Sequence, residues 1–149
     1  MEYRAWTGEV PEEFARFWYA MLEESGLLGS GVVADWQVRL REHFSRELEA
    51  KRMGWFVALD GGRIVGTAAA FLHGGPSYIF KDRAATLAGI YVLPRYRRRG
   101  IARELTQRAV AWCREQGCAS VRLRASTAGR PLYESLGFHD GDEMVLTLV

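Results

Sequence analysis

Five arginines are concentrated in one short stretch of the chain, between a strand-like run and a helix-like run. They are Arg95, Arg97, Arg98, Arg99 and Arg103. Residues 87–93, just before them, form a short apolar run that is typical of a buried strand. From Ile101 onward the pattern is helical. Because a helix N-terminus has unpaired backbone N–H groups and a partial positive charge, the stretch predicts a binding site for an anion such as phosphate.

The predicted helix has a small first turn and a regular buried face. Apolar side chains recur at every fourth residue, at Ile101, Leu105, Ala109 and Cys113. Gly100 lets a bulky group approach the backbone, and Ala102 adds only a methyl group. A run of arginines alone is equally compatible with a solvated basic patch. The glycine and alanine spacing and the preceding strand favour the anion site over that alternative.

The spacing resembles a motif of the GNAT superfamily of acyl-CoA-dependent N-acetyltransferases. Residues 97–102 (Arg-x-x-Gly-x-Ala) are similar to the family's Arg/Gln-x-x-Gly-x-Gly/Ala signature, and residues 92–94 (Val-x-Pro) match just upstream. A second block, residues 132–138, resembles the family's C-terminal Leu-Tyr-x-x-x-Gly-Phe motif. The resemblance covers about residues 54–149 and does not reach the N-terminal third with any specificity.

The resemblance implies acetyl-CoA as co-substrate and implies no metal. The pantetheine arm would pair with the backbone of the central strand, and the pyrophosphate would bind at the arginine-rich turn and the helix N-terminus. The implied cofactor-binding residues are Ile90, Tyr91 and Val92 on the strand, Arg97, Arg98, Arg99, Gly100, Ile101, Ala102 and Arg103 on the turn and helix, and Ser126 further along. Many relatives have asparagine at the position of Ser126, and serine has a shorter reach.

Tyr133, in the second block, is the implied catalytic residue. The family transfers the acetyl group directly to an amine, and Tyr133 would protonate the departing thiolate as general acid. The alternative is a tyrosine that packs at a helix start and only hydrogen-bonds the cofactor. The backbone N–H of Val92 would stabilise the oxyanion.

A general base must also remove a proton from the amine, because amines are protonated at neutral pH. Some relatives have a glutamate on the central strand, but residues 84–93 contain no Asp or Glu. Besides a water chain to solvent, the candidates are His73, Asp82 and Glu24. The unperturbed pKa of histidine lies near neutrality, which favours His73.

The remaining elements predict an α/β (α+β mixed sheet) protein. From the N-terminus they are a strand at 3–7, a helix from Pro11, a Gly-rich loop at 26–31, a helix at 34–52, a hairpin of strands 55–59 and 63–72, a connection at 73–83, a strand at 120–125, a helix at 131–136 that Gly137 ends, and a last strand at 143–149. The GNAT fold implied by the motifs has this order. It is a central, mostly antiparallel sheet flanked by helices, with two helices before most of the sheet.

Length and composition limit the classes of protein to which this chain can belong. The 149 residues suit one domain, 1–149, and 48% hydrophobic with 26% charged residues is typical of a soluble globular protein. Two cysteines are too few for a disulfide framework. The chain has no apolar run long enough for a membrane span and no leader-like start. We therefore expect a cytoplasmic protein without a membrane partner.

The sequence does not identify the acceptor amine. It could be a small amine, an amino acid, an antibiotic or a protein amine, because residues 21–35 and 73–83, which would wall its pocket, contain no signature. One alternative function is a GNAT-like domain that binds acyl-CoA without catalysing transfer. Another is a nucleic-acid binder with strongly salt-dependent affinity, which the net charge of only +2 disfavours. A homodimer is frequent in this fold, and nothing in the residues requires it.

Overall fold

The computed structural model describes residues 1–29, 31–76 and 79–148. Its elements are β1 (Glu2–Ala5), α1 (Glu12–Glu24), α2 (Trp36–Glu49), β2 (Met53–Asp60), β3 (Arg63–Leu72), β4 (Ala84–Val92), a 3₁₀ turn (Pro94–Tyr96), α3 (Ile101–Glu115), β5 (Ser120–Arg122) and α4 (Arg130–Ser135). The sheet order is β1-β2-β3-β4-β5. The first four strands are antiparallel neighbours, and β5 lies parallel to β4. The predicted mixed, mostly antiparallel sheet with flanking helices is confirmed.

The hairpin of β2 and β3 follows from its two glycines. Gly61 and Gly62 have φ angles of 55° and 81°, which is the left-handed backbone that a two-residue hairpin turn requires. Further along β3, a Cβ atom at Gly66 would lie 3.1 Å from Cγ2 of Ile101 and 3.2 Å from Cδ1 of Leu105. Gly66 therefore lets α3 approach the sheet closely.

Helices cover both faces of the sheet. On one face, the predicted apolar side of α3 packs against the sheet, and its residues Leu105, Ala109 and Cys113 are fully buried. On the other face, α1 and α2 pack aromatic side chains against β2, with Phe14 stacked on Trp55 at 3.9 Å between ring centroids. No helix in the described ranges is long and apolar enough to cross a membrane.

The predicted last strand at 143–149 is wrong over its described residues. Residues 143–148 form no strand, and Val149 lies outside the described residues. Met144 and Leu148 are 94% and 86% exposed. Alternating side chains create an apolar face, but a strand also needs backbone hydrogen-bond partners from a neighbour. Here the recorded contact between the segment and β5 is an ion pair, with Arg122 Nη1 3.0 Å from Glu143 Oε1.

Several predicted segments differ from the structure in extent. The strands predicted at 3–7, 55–59 and 87–93 are Glu2–Ala5, Met53–Asp60 and Ala84–Val92, and the helix predicted at 131–136 is Arg130–Ser135. The strand predicted at 120–125 is three residues long, and the helix predicted at 34–52 begins at Trp36 and ends at Glu49. Parts of two predicted loops, Ser30 in 26–31 and Ser77 with Tyr78 in 73–83, lie outside the described residues.

Candidate active site

The central strand β4 contains a β-bulge. Thr67 pairs with Tyr91 and Ala69 pairs with Ala88, so two residues of β4 oppose one residue of β3. Gly89, inside the bulge, has a φ of 63°, and its carbonyl oxygen accepts a 2.9 Å hydrogen bond from the Thr67 hydroxyl. Bulges of this kind bend a strand and often lie beside active sites.

Beyond its first residues, β4 separates from β5. The register pairs join Ala84–Thr86 to Ser120–Arg122 and then stop. In the described part of the chain, residues 87–92 therefore have no strand partner on the side away from β3. An unpaired, extended backbone can bind an extended amide chain by adding it as a further strand.

The predicted strand residues lie on this edge and alternate between the two faces. Ile90 packs toward the α3 face and Tyr91 toward the α1 face. The phenol of Tyr91 lies 3.5 Å from Glu24 Oε1, and burial raises the pKa of Tyr91. The Val92 carbonyl oxygen accepts a 2.8 Å hydrogen bond from Arg97 Nε.

The turn after β4 is held against the β2–β3 hairpin. Tyr96 donates a 2.8 Å hydrogen bond to Asp60 Oδ2, and the guanidinium groups of Arg95 and Arg99 each lie 5.4 Å from the centroid of the Tyr96 ring. Arg98 has a φ of 62°. These contacts fix the turn's path into α3.

The N-terminus of α3 opens to solvent at Gly100. This residue has a φ of 81°, and no atom lies within 4 Å of the position of a Cβ there. Ile101 then begins the helix as a buried residue, with the half-buried Ala102 after it. The free N–H groups of this 15-residue helix can therefore receive an anion.

The predicted arginines point in different directions. The Nη2 atom of Arg97 lies 2.9 Å and 3.0 Å from the two carboxylate oxygens of Glu24, so Arg97 connects the end of α1 to the end of β4. Arg103 donates a 2.7 Å hydrogen bond to Ser135 on α4, and Arg98 and Arg99 are exposed. Phosphate binding by these residues stays a prediction.

Tyr133 lies on α4, after a turn that Ser126 stabilises. The Ser126 hydroxyl accepts a 3.1 Å hydrogen bond from the Gly129 N–H. Tyr133 is half-buried and meets Phe138 edge-on at 5.9 Å between ring centroids. Burial raises the pKa of the Tyr133 phenol above its ordinary value of 10.0, so the phenol keeps its proton at neutral pH. A general acid requires that state, and the role itself stays a prediction.

The three candidate bases have different surroundings. His73 lies just after β3, and its Nε2 is 2.6 Å from the Thr86 hydroxyl on β4. Glu24 is paired with Arg97, and Asp82 is exposed in the connection between β3 and β4. Two of the three contact side chains of the central strand: His73 through Thr86, and Glu24 through the Tyr91 phenol. Glu24 is also paired with Arg97, whereas His73 has no ion pair among the described residues, which favours His73 as the base.

A cavity lies between α1 and α2, and three of its lining residues, Leu22, Val32 and Val33, fall within residues 21–35, which were predicted to wall an acceptor pocket. It has a volume of about 320 Å³ and is lined mainly by Trp18, Leu22, Val32, Val33, Trp36 and Leu40. Its inner wall touches the bulge, because a Cβ atom at Gly89 would lie 2.6 Å from Cζ3 of Trp18. The apolar residues that recur every fourth position in α2 were interpreted as buried core. Two of them, Trp36 and Leu40, line the cavity instead and are only half-buried.

Curated relatives resemble parts of the chain. A 64-residue segment is 42% identical to the aminoglycoside N(6')-acetyltransferase type 1 of Acinetobacter genomosp. 13, and covers 41% of this chain and 44% of that protein. The chain thus spans less than half the length of that relative. The enzyme of the same name from Salmonella typhimurium is 28% identical over 102 residues, which cover 66% of this chain and 70% of that enzyme.

The fold and the family are shown over nearly the whole chain. A predicted acetyltransferase from Clostridium acetobutylicum, solved with acetyl-CoA, superimposes with a TM-score of 0.84 at 26% identity, over 98% of this chain and 94% of that one. The family profile described as Acetyltransferase (GNAT) family matches residues 9–138. The chain therefore belongs to the GNAT family of acetyl-CoA-dependent N-acetyltransferases.

Proposed function

We propose that this protein transfers the acetyl group of acetyl-CoA to the primary amine of a small molecule. The observation that carries the proposal is the separation of β4 from β5 after Thr86, next to the open N-terminus of α3. A pantetheine arm has amide groups that fit the strand edge, and phosphates fit the helix N-terminus. The two relatives named for aminoglycoside acetylation support a small-molecule amine as acceptor.

The chain's own residues would hold the co-substrate mainly through backbone groups. Ile90 and Val92 lie on the strand edge, and the exposed side chains of Arg98 and Arg99 flank the turn. Bound acetyl-CoA supplies the thioester carbon as electrophile. The backbone of β4 would orient this carbon beside the bulge at Gly89.

Three proton transfers accompany formation of the C–N bond and cleavage of the C–S bond, because the ammonium nitrogen loses two protons and the sulfur gains one. His73, held by Thr86, would take the proton that the ammonium group loses. Strand geometry puts Thr86 about 10 Å from Gly89, so the proton would pass through water. After the C–N bond forms, the nitrogen would lose its second proton to solvent water. Tyr133 would give its proton to the sulfur as the C–S bond breaks and would regain a proton from solvent.

Calorimetric titration with acetyl-CoA tests the binding site. We expect one-to-one binding at micromolar concentration that Gly100→Arg abolishes, because the new side chain would cover the helix N-terminus. Gly62→Arg is a matched control, since Gly62 has the same φ of 81° and an equally open surrounding. Undiminished binding by Gly100→Arg would refute this site, and binding without thiol release on any amine would indicate a domain that holds acyl-CoA without transfer.

Replacement of Tyr133 by phenylalanine tests whether Tyr133 is the general acid. We expect kcat to fall by about 10²- to 10⁴-fold, with little change in the KM for acetyl-CoA, because the phenol acts on the leaving group. Thiol release under saturating substrate measures the effect. Tyr3→Phe, on β1, should leave kcat unchanged, and an unchanged kcat in Tyr133→Phe removes Tyr133 from this role.

A further inference from the structure

We propose that the acceptor is a primary amine with an aromatic or other apolar group, and that this group binds in the cavity between α1 and α2. The inference rests on the proposed function and adds the substrate class. The cavity's volume of about 320 Å³ is in the range of small-molecule sites. Its apolar lining side chains offer dispersion contacts and few hydrogen bonds.

The wall of the cavity is aromatic on both helices. Trp18 and Tyr19 come from α1, and Trp36 comes from α2 and stacks on Tyr19 at 4.9 Å between ring centroids. Rings arranged in this way favour an aromatic guest, which gains stacking or edge contacts beyond simple burial. Val32 and Val33, at the mouth, are 50% and 58% exposed, so a guest that covered them would remove apolar surface from water.

The charges around the cavity disfavour a polycation. Among the described residues that line it, the groups able to be charged are Arg39 and His43, and neither is an acid. The nearby carboxylate of Asp35 lies 3.1 Å from Arg39 Nε, and Glu24 is occupied by Arg97. An acceptor with several ammonium groups would therefore meet no carboxylate among the described residues that line the cavity, whereas an acceptor with one amine at the end of an apolar body needs none there.

Trp18 links this cavity to the proposed site of transfer. Trp18 is one of the residues that line the cavity, and its six-membered ring lies against Gly89 in the bulge of β4. A guest in van der Waals contact with the indole is about 3.5–4.0 Å from it. The side chain of Trp18 would thus contact both an apolar group in the cavity and the bulge, and a short alkyl tether that passes this side chain would bring the amine to the thioester.

An amine panel tests the inference, with thiol release from acetyl-CoA as the readout. Tryptamine and phenethylamine should show kcat/KM values about 10- to 200-fold above those of ethanolamine, which lacks the apolar group. Both should also exceed tobramycin, a polycation. Equal values for tryptamine and ethanolamine, or a preference for tobramycin, would overturn the inference and leave the proposed function standing. No thiol release with any amine would overturn both.

Two exposed valines provide a matched pair of variants. Val33 lines the cavity, and Val38 lies on α2 without lining it; they are 58% and 56% exposed. Val33→Asn should lower kcat/KM for tryptamine by about 10-fold, because it replaces an apolar contact at the mouth with an uncharged polar group that must lose water when the ring covers it. Val38→Asn should have no effect. Equal effects of the two substitutions, or none from Val33→Asn, would overturn the inference.

Discussion

The two faces of the sheet are packed in opposite ways. The face under α3 is rich in small residues: Ala58, Ala68 and Ala70 on the strands are fully buried, as is Ala109 on the helix, and the helix lies close to the strands at Gly66. The face under α1 and α2 is built from large rings, with Phe14, Phe44 and Trp55 at its centre, and it leaves a cavity at its margin.

This difference matches what each face has to do. A close-packed helix fixes the position of its N-terminus relative to β4, and a fixed N-terminus suits a ligand that is the same in every reaction of a family. Large rings pack with gaps at their edges, and such gaps provide a site whose shape depends on side chains. We infer that the α3 face supports the co-substrate and the α1/α2 face determines the acceptor.

The same leucine-to-alanine substitution on the two faces should give the largest contrast. Leu105 on α3 is fully buried among small residues that cannot collapse into the space, so Leu105→Ala should lower the free energy of unfolding by about 3–5 kcal/mol. Leu40 on α2 is half-buried beside an existing cavity, and Leu40→Ala should cost about 1 kcal/mol. Urea unfolding measures both, and similar costs would contradict the contrast between the faces.

A pair of glycine substitutions tests the contact between α1 and the bulge. Gly89→Ala combines left-handed strain of about 1–2 kcal/mol with a clash, since the new Cβ would lie 2.6 Å from Cζ3 of Trp18. Overpacking costs about 1–3 kcal/mol, so we expect the free energy of unfolding to fall by about 2–5 kcal/mol in total. Gly61 has a similar φ of 55° and open space around it, so Gly61→Ala should lower the free energy of unfolding by the strain alone. Equal losses would mean that Trp18 does not press on the bulge.

The pH dependence of stability should report the burial of Cys113 at the end of α3. Burial raises the pKa of this thiol from its ordinary value of 9.0 to about 12. Because the native thiol holds its proton more tightly than the unfolded one, this stabilisation is complete below about pH 9 and is lost as the pH rises toward about 12. We expect a decline of up to about 1.4 kcal/mol per pH unit in that window.

Urea unfolding from about pH 8 to about pH 11 measures this slope. The variant Cys113→Ala removes the titrating group, so its free energy of unfolding should fall less steeply over the same range. Parallel curves for the two proteins would show that the thiol is more hydrated than its place in the α3 stripe indicates.

Features that depend on neighbouring residues could be predicted directly from the sequence. The four-residue repeat from Ile101 predicted the buried face of α3, and the two glycines after Asp60 predicted the hairpin. The spacing of residues 97–102 and 132–138 indicated the family. Helix periodicity and turn chemistry act over a few positions, so a sequence displays them directly.

The tertiary structure alone decided the features that join distant residues. Arg97 and Glu24 are 73 residues apart, and only the folded chain shows that this arginine pairs with α1. The contact of Trp18 with Gly89 and the cavity beside it likewise depend on how α1 and α2 sit on the sheet. At 143–148 an alternating pattern formed no strand. Side-chain periodicity shows which face of a segment is apolar. It does not show which strand or helix that face will contact, because this depends on how the whole chain packs.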